Sequence, residues 1–524
     1  MRLHLALGTL TLTFVWIAAC SSSNDAAGGG MPTGDPAVSS GTGGYGGGGA
    51  YGGAGAVGNS GSGGSAGGYA AGGAAGAPPR PGADAGPDAA DAGLTCDGLD
   101  DSKDAVFYLS SDDSNSMASP VIARSLIENG QTVPASLIRT YEFLNYYNVG
   151  YPSAPAGTLS IVPELAQGSA PGAFELQVGV VSPAAVKPRR PVNITFVLDT
   201  SGSMGGSPIQ LERETVKAIA GQLQAGDKVS AVTWNTSNAV VLDSYGVGGP
   251  NDPAVMDMAN QISAGGGTDL NGGLSAGYAL AQKNFVAGQL NRVVLISDGQ
   301  ANAGVTDKEI IAKGAALNDG DGVYLVGVGV GTGVNDTLMN AVTDAGRGAY
   351  VYLDESAEVS RMFGQRFDEV MDVAARAVQV QLRMPWYMNI EVFHGEEYST
   401  DPKEVEPQHL APNDAMVFNQ VVRACSPDVV ADADPIELVV SWETPDTHQS
   451  KQVQKTTTFA DLLGATPLYL AKGSAIVAYA EALKQPSKSR LQAALDAVKS
   501  ANAGGTDPEL TEIQALLEKA LLQY

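Results

Sequence analysis

Between residues 190 and 375, short hydrophobic runs alternate with segments in which apolar residues recur at helical spacing. This alternation is typical of a parallel, doubly wound sheet, because each helix returns the chain to the edge where the next strand begins. The predicted strands are Ile194–Leu198, Lys228–Trp234, Arg292–Ile296, Gly322–Val330 and Tyr350–Leu353. The predicted helices are Ile209–Gln224, Val255–Ile262, Leu270–Ala287, Asp307–Leu317, Asp336–Ala345 and Ser356–Asp372. We therefore expect an α/β domain over residues 190–375.

The first predicted strand ends in a run of oxygen-bearing side chains. Asp199, Ser201 and Ser203 supply a carboxylate and two hydroxyls within five positions. Hydroxyls are poor ligands for soft metals but suit a hard cation that keeps part of its water, above all Mg²⁺. Open α/β sheets also place their ligands at the carboxyl ends of their strands. Taken alone, the run is equally compatible with an ordinary polar turn.

Two further stretches extend this candidate site. Thr268 presents a hydroxyl on a Gly-rich loop before a predicted helix, and Asp298 follows the strand Arg292–Ile296. Because neighbouring parallel strands end side by side, we expect Asp199 and Asp298 to meet at one crevice. Two close carboxylates would repel each other or force one to bind a proton, and a divalent cation removes that conflict.

In this order and context, Asp199-Thr-Ser201-Gly-Ser203, Thr268 and Asp298 resemble the metal-ion-dependent adhesion site of von Willebrand factor type A domains. The resemblance implies an octahedral site for Mg²⁺ (or Mn²⁺). Ser201 and Ser203 would bind the ion directly, Thr268 directly or through water, and the two aspartates partly through water. One position would remain for an acidic residue of a protein ligand. The alternative is that the cation serves stability only.

Antiparallel strands are predicted on both sides of the α/β domain. One is the alternating run at Phe174–Val181, which appears isolated, and a short strand is predicted at Ala105–Ser110. Later strands are predicted at Val378–Met384, Met388–Phe393, Ala415–Arg423, Ile436–Trp442 and Lys451–Phe459. Because a lone strand cannot satisfy its backbone, we expect Phe174–Val181 to pair with these later strands. The α/β domain would then be inserted into a β-sandwich.

The remaining folded segments are predicted to be helical. Residues 118–148 and the C-terminal segments Leu468–Leu483, Arg490–Ser500 and Asp507–Leu522 are expected to pack on one another. The predicted divisions of the folded part are residues 96–189, 190–375, 376–462 and 463–524. The motifs that begin at Asp112 and Arg139, with the tail from Tyr469, resemble a group of bacterial exported type A proteins, the YfbK-like group.

The N-terminal residues carry a targeting pattern. Residues 1–20 combine a charged start with a short apolar core, and they end in Ile17-Ala-Ala-Cys20, which resembles the lipobox of bacterial lipoproteins. Residues 21–95 are rich in Gly, Ala, Ser and Pro, and we expect a disordered tether. The resemblance implies export and a lipid anchor on Cys20, in the outer membrane where the bacterium has two membranes, because Ser21 follows the cysteine. An ordinary secretory signal is the alternative.

Cys96 and Cys425 are the remaining cysteines of the mature chain. An export signal indicates an oxidising compartment, where two such residues can form a disulfide. Two unrelated buried thiols are the alternative.

Charge and motif content narrow the functional classes. The formal charge of −26 argues against a nucleic-acid partner. The four histidines are scattered, without a metalloprotease helix, a nucleophile elbow or a Walker loop, so we do not expect an enzyme. Two hypotheses remain: an anchored, cation-dependent module that binds a protein ligand, and an envelope assembly component whose contacts run through the sandwich and helices.

Overall fold

The computed structural model describes residues 95–112, 114–302 and 322–524. The elements before residue 190 are strand β1 (Ala105–Ser110), helix α1 (Ala118–Glu128), a 3₁₀ turn (Ala135–Leu137), helix α2 (Thr140–Tyr146), strand β2 (Ser160–Gln167) and strand β3 (Ala173–Val181). Strand β2 corrects the expectation of an isolated strand near residue 174, because it pairs with β3 along its whole length. Its Pro163 weakens the strand pattern in the sequence, yet proline is tolerated on an edge strand such as β2.

The α/β domain contains a six-stranded sheet in the order β6-β5-β4-β7-β8-β9. Its strands are β4 (Val192–Asp199), β5 (Lys228–Trp234), β6 (Asn238–Gly246), β7 (Leu290–Ser297), β8 (Val323–Val330) and β9 (Ala349–Leu353). All residues of β4, β7 and β8 are buried, as expected for strands covered by helices on both faces. Strand β6, absent from the prediction, is antiparallel to β5 and lies exposed at the edge.

Helices cover this sheet: α3 (Ser207–Gln222), α4 (Pro253–Gln261), α5 (Leu270–Lys283) and α6 (Asp336–Ala345). The helix predicted at Asp307–Leu317 lies outside the described residues. The prediction of a continuous helix over Ser356–Asp372 is wrong, because α7 (Ser356–Ser360) and α8 (Phe367–Met371) are separated by a π-helical turn, Arg361–Gln365. The wider turn places the Arg361 guanidinium 4.4 Å from the Tyr146 ring centroid.

Two antiparallel sheets pack face to face around a second hydrophobic core. Their later strands are β10 (Ala375–Met384), β11 (Met388–Phe393), β12 (Glu397–Ser399), β13 (Gln408–Leu410), β14 (Ala415–Ala424), β15 (Pro435–Glu443) and β16 (Ser450–Thr458). One sheet has the order β12-β1-β10-β15-β16, with β13 beside β10, and the other has the order β11-β14-β3-β2. Strand β3 pairs with β14 from Ala173↔Arg423 to Val181↔Ala415, which confirms the predicted pairing and the insertion.

The chain ends in helices α9 (Phe459–Gly464), α10 (Leu470–Lys484), α11 (Lys488–Ala501) and α12 (Pro508–Leu521). The Phe143 and Tyr479 rings, from α2 and α10, meet edge to face with centroids 5.3 Å apart, so the predicted packing of the two helical segments is confirmed. Helices α10, α11 and α12 share one hydrophobic core with the α/β domain, whereas α9 packs into the core of the sandwich.

A disulfide joins Cys96 to Cys425, with an Sγ–Sγ distance of 2.00 Å and a Cα–Cα distance of 5.1 Å. Cys20 and residues 1–94 lie outside the described residues. Within the part of the chain that is described, no helix is long and apolar enough to cross a membrane.

Candidate functional site

The candidate residues gather at the carboxyl edge of the central sheet. Strands β4 and β7 are parallel neighbours paired at Leu198↔Ile296, so Asp199 and Asp298 follow adjacent strand ends. Ser201 and Ser203 lie in the loop after β4, and Thr268 lies two residues before α5. The two strands and the intervening loops therefore converge on one rim of the sheet.

The Asp199 carboxylate is fully buried and held on both of its oxygens. Oδ1 accepts a hydrogen bond from the Ser201 backbone N–H at 2.9 Å, and Oδ2 accepts one from the Ser297 hydroxyl at 2.6 Å. Burial raises the pKa of Asp199 to about 6, although these hydrogen bonds lower it. The charge of Asp298 adds to the rise. A nearby cation would favour the charged carboxylate and oppose that shift.

The two serine hydroxyls lie side by side. The Oγ atoms of Ser201 and Ser203 are 3.1 Å apart, with Ser201 buried and Ser203 exposed. Two adjacent ligands of an octahedral Mg²⁺, each at about 2.1 Å, would be about 3 Å apart. The spacing of the hydroxyls therefore suits two neighbouring positions on such an ion.

The Gly-rich loop is fastened to the loop that carries the serines. The Gly202 N–H donates to the Gly266 carbonyl at 3.0 Å, and the Gly265 N–H donates to the Thr200 carbonyl at 2.7 Å. Gly266 has a φ of +89°, and an added Cβ would lie 3.2 Å from the side chain of Asn235, so a larger residue does not fit here. This geometry fixes Thr268 beside the serine loop.

Thr268 and Asp298 are anchored through neighbouring polar groups. The Thr268 N–H donates to the Asn302 Oδ1 at 2.8 Å, and Asp298 Oδ1 accepts from the Gln300 N–H at 3.0 Å. Both side chains are almost completely buried. The loops thus have defined positions within the structure itself.

The model of the von Willebrand factor type A domain matches residues 193–365. The chain contains a von Willebrand factor type A domain. The predicted type A domain is thereby confirmed for residues 193–365, a range that includes every residue of the candidate site. Type A domains generally mediate protein–protein interactions and are not enzymes in themselves.

Known relatives are similar to part of the chain. The uncharacterized protein YfbK of Escherichia coli K12 is 28% identical over 192 residues, which is 36% of this chain and 33% of YfbK. Human inter-alpha-trypsin inhibitor heavy chain H1 is 25% identical over 244 residues, 44% of this chain and 26% of the heavy chain. The chain thus spans less than half the length of these relatives.

Among solved structures, a von Willebrand factor type A protein from Catenulispora acidiphila is 15% identical to the chain and has a TM-score of 0.43. The alignment covers 67% of this chain and 88% of that protein.

The type A domain also contains site residues that the sequence analysis missed. Ser297 donates to Asp199 and accepts the Gly299 N–H at 2.9 Å, so one hydroxyl links the ends of β4 and β7. Glu212, on α3, is fully buried, and burial raises its pKa well above the usual range, with the charge of Asp199 as the next cause. Ser297 stands directly before Asp298 in the sequence, whereas nothing in the charged run around Glu212 indicates a buried side.

The donor set of the type A domain is unusual for a metal site in its reliance on hydroxyl groups. Within the described residues, no group of three or more His, Cys, Asp or Glu side chains is arranged to hold a metal ion. The candidate set instead combines two carboxylates with three hydroxyls, all of them hard oxygen donors. These donors fit Mg²⁺ or Mn²⁺ far better than a soft metal such as Zn²⁺ or Cu⁺.

Proposed function

We propose that the type A domain binds Mg²⁺ or Mn²⁺ through Asp199, Ser201, Ser203, Thr268 and Asp298, and binds a protein ligand through that ion. The observation that carries this proposal is the 3.1 Å spacing of the two serine hydroxyls beside two carboxylates at one rim of the sheet. Ser201 and Ser203 would hold the ion directly.

The two aspartates suit a role through water. Both oxygens of Asp199 already accept a hydrogen bond from the protein, which leaves their remaining lone pairs for water molecules around the ion. A cation held mostly by neutral hydroxyls keeps much of its charge unneutralised. It would therefore attract a carboxylate, and the proposed ligand is a protein that offers an exposed Asp or Glu.

The proposed setting is the bacterial cell envelope. Export, acylation of Cys20 and a tether over residues 21–95 would hold the folded part away from the membrane surface. Replacing Cys20 by Ser should move the protein from the membrane fraction to the soluble fraction of cells. Retention of that variant in membranes would contradict the lipid anchor without bearing on the cation site.

A pull-down from envelope extract tests the binding role. The wild-type protein should capture a partner in Mg²⁺ and lose it in EDTA, and Ser203→Ala should lose capture in both. Ser203 is exposed, so its replacement leaves the core intact. Ser263→Ala, an exposed serine in the loop before Gly265, is the matched control and should behave as wild type.

Capture that survives both EDTA and Ser203→Ala would contradict the proposal. It would favour the second hypothesis, in which the sandwich and helices make the contacts and the cation has a structural role.

A further inference from the structure

A cavity lies at the opposite end of the central sheet, where the type A domain meets the β-sandwich. Its empty space is about 660 Å³, a figure that includes solvent outside its mouth. Arg292 and Tyr324, near the starts of β7 and β8, line it from the type A domain, and His409 on β13 lines it from the sandwich. Both sides of the domain junction therefore contribute polar groups to one space.

Three basic side chains surround the Tyr324 ring. The Arg292 guanidinium lies 5.0 Å from the ring centroid, the Arg376 guanidinium 5.5 Å, and the His409 ring packs edge to face at 5.0 Å. Arg292 and His409 are each more than nine-tenths buried. The two guanidinium cations beside this ring favour a nearby anion.

The hydrogen bonds of His409 define which of its ring nitrogens carries hydrogen. The Ala377 N–H donates to Nδ1 at 3.3 Å, so Nδ1 is the acceptor and Nε2 carries the hydrogen of the neutral ring. Burial lowers the pKa of His409 to about 3, and the charges of Arg376 and Arg347 add to this, so the ring stays neutral. Within the described residues, the buried Nε2 donor has no hydrogen-bond partner.

A strained bulge in β10 creates this arrangement. The strand gains one residue relative to β15 between Arg376 and Gln379, and Ala377 has a φ of +47°. A non-glycine residue with a positive φ is uncommon, and bulges often redirect side chains near functional sites. Here the bulge directs the Ala377 N–H at His409 and brings Arg376 to the Tyr324 ring.

The arginines keep unused donors. Arg292 donates from Nε to the Met371 carbonyl at 2.8 Å and from Nη1 to the Asn291 carbonyl at 3.1 Å, and no hydrogen bond from its Nη2 is present among the described residues. Arg376 Nη1 contacts His448, but its buried Nε has no partner in the same part of the chain. Neither guanidinium has a carboxylate at salt-bridge distance within the described residues.

The carboxylates around the cavity form their ion pairs with other arginines, although Asp372 also attracts Arg292 from beyond salt-bridge distance. Glu369 pairs with Arg366, and Asp372 pairs with Arg190 at 2.7 Å. Burial raises the pKa of Asp414 to about 7, with Glu369 adding to the rise, so Asp414 is partly protonated near neutral pH. Arg292 therefore lines the cavity without an ion pair of its own, and Arg376 lies nearby at the Tyr324 ring.

We propose that this cavity binds a small oxyanion, a phosphate, sulfate or carboxylate group, held by Arg292 and the Nε2–H of His409, which line it, while Arg376 adds positive charge from beside the Tyr324 ring. Guanidinium groups match the planar or tetrahedral oxygens of such anions, and an anion would give the buried His409 Nε2–H a hydrogen-bond partner. A cation would be repelled there, and an apolar ligand would leave the donors unpaired. This site is separate from the proposed cation site and does not depend on it.

Thermal melting tests the proposal. EDTA is present throughout, so that no cation bound at the proposed cation site affects the melting midpoint. Sodium phosphate, sulfate and acetate are titrated in turn against chloride at constant ionic strength, using the full mature chain. At least one oxyanion should raise the melting midpoint more than chloride does, because a ligand that binds only the folded state stabilises it. The anion that raises it most identifies the preferred group, and no rise above chloride would overturn the proposal.

Variants locate the effect. Arg292→Met and His409→Phe should each weaken the apparent affinity about tenfold or more, because each removes a charged or charge-assisted hydrogen bond. Arg292→Lys retains the positive charge and should fold as the wild type does. It should nevertheless bind the oxyanion more weakly than the wild type. Arg423→Met is the control. The Arg423 guanidinium pairs with Glu391 at 2.8 Å on the sandwich, so this variant should respond to the anions as the wild type does. An unchanged response in Arg292→Lys and His409→Phe would overturn the assignment.

Discussion

The Arg124 guanidinium binds the Asp354 carboxylate through two hydrogen bonds, from Nη2 at 2.8 Å and from Nε at 3.0 Å. The same guanidinium reaches Glu358 at 2.7 Å and Glu512 at 3.2 Å. Helix α1, the end of the type A domain and the C-terminal helix α12 thus share one cation. These segments are far apart in sequence, so a single side chain connects three parts of the fold.

Arg124→Met should therefore be strongly destabilising. Removing one partner of a buried ion-pair network leaves uncompensated carboxylates and typically costs about 3–5 kcal/mol. The urea concentration at the unfolding midpoint measures the loss. Lys103→Met is the control, because its pair with Asp100 is exposed to solvent and should contribute little to stability. Similar midpoints for the two variants would show that the network contributes little.

Asp298→Asn should abolish stabilisation by Mg²⁺ while preserving the fold. An asparagine keeps an oxygen that can accept the Gln300 N–H, but it removes a negative charge from the proposed cation site. The wild-type melting midpoint should rise with Mg²⁺ concentration, by about 2.7 kcal/mol of stabilisation at one hundred times the dissociation constant. The variant should melt at the same temperature with Mg²⁺ and with EDTA. An equal rise in both proteins would exclude Asp298 from the site.

Gly277→Ala should destabilise the type A domain at its central strand. A Cβ at residue 277, on α5, would lie 2.2 Å from Cγ2 of the buried Val197, two residues before Asp199. Overpacking of this kind typically costs about 1–3 kcal/mol. It would also displace the end of β4, so the affinity for Mg²⁺ should fall together with the stability.

Gly364→Ala provides the matched comparison for that variant. No atom lies within 4 Å of the added Cβ, so the substitution should be neutral or stabilise the helical turn by up to about 1 kcal/mol. Equal urea midpoints for the two alanine variants would contradict the close packing of α5 on β4.

The stability of the protein should depend on pH through His409. Burial lowers its pKa to about 3, from about 6.5 in an unfolded chain. Between these values the unfolded state binds a proton that the folded state does not. The contribution of His409 to the free energy of unfolding should therefore fall by about 1.4 kcal/mol for each pH unit below about 6.5.

His409→Phe should remove this contribution. Urea unfolding in chloride buffers at pH 8, where the histidine is neutral in both states, gives the packing cost of the substitution. A wild-type curve that falls more steeply toward acid pH than the variant curve is the expected result. Parallel curves would contradict the prediction, because they would mean that protonation of His409 does not destabilise the folded state.

Reduction of the disulfide should lower the stability of the folded part. The bond closes a long loop, since Cys96 and Cys425 are 329 residues apart, and loss of a native disulfide typically costs about 2–5 kcal/mol. Under denaturing conditions the non-reduced folded part should show no reactive thiol at these positions and the reduced form should show two. Cys425→Ser should expose one thiol and lose its response to reductant.

The sequence predicted the central sheet well because its strands are continuous apolar runs. The predicted bounds of the strand Lys228–Trp234 match the structure, and so do those of the helix Asp336–Ala345. Strand β6 was missed because Asn238–Gly246 lies exposed at an edge, where no burial pattern marks it. The π-helical turn was also missed, and the contact that it allows between Arg361 and Tyr146, which are far apart in the sequence, appears only in the fold.

The candidate cation site was accessible from the sequence because its residues fall in short local motifs at strand ends. Glu212 was not, since its burial depends on how α3 lies against the sheet. The cavity around Tyr324 was also beyond prediction, because its residues come from separate segments, among them β7, β8 and β13, and meet only through the junction of two domains.

The disulfide also defines how the fold would carry mechanical load. Cys96 leads into β1 of one sandwich sheet, and Cys425 directly follows β14, an inner strand of the other sheet. A pull on the chain before Cys96 would thus be divided between both layers of the sandwich. The type A domain, inserted between β3 and β10, lies outside this route. Tension applied from the N-terminal side would reach the proposed cation site only when a ligand bound there resists the pull.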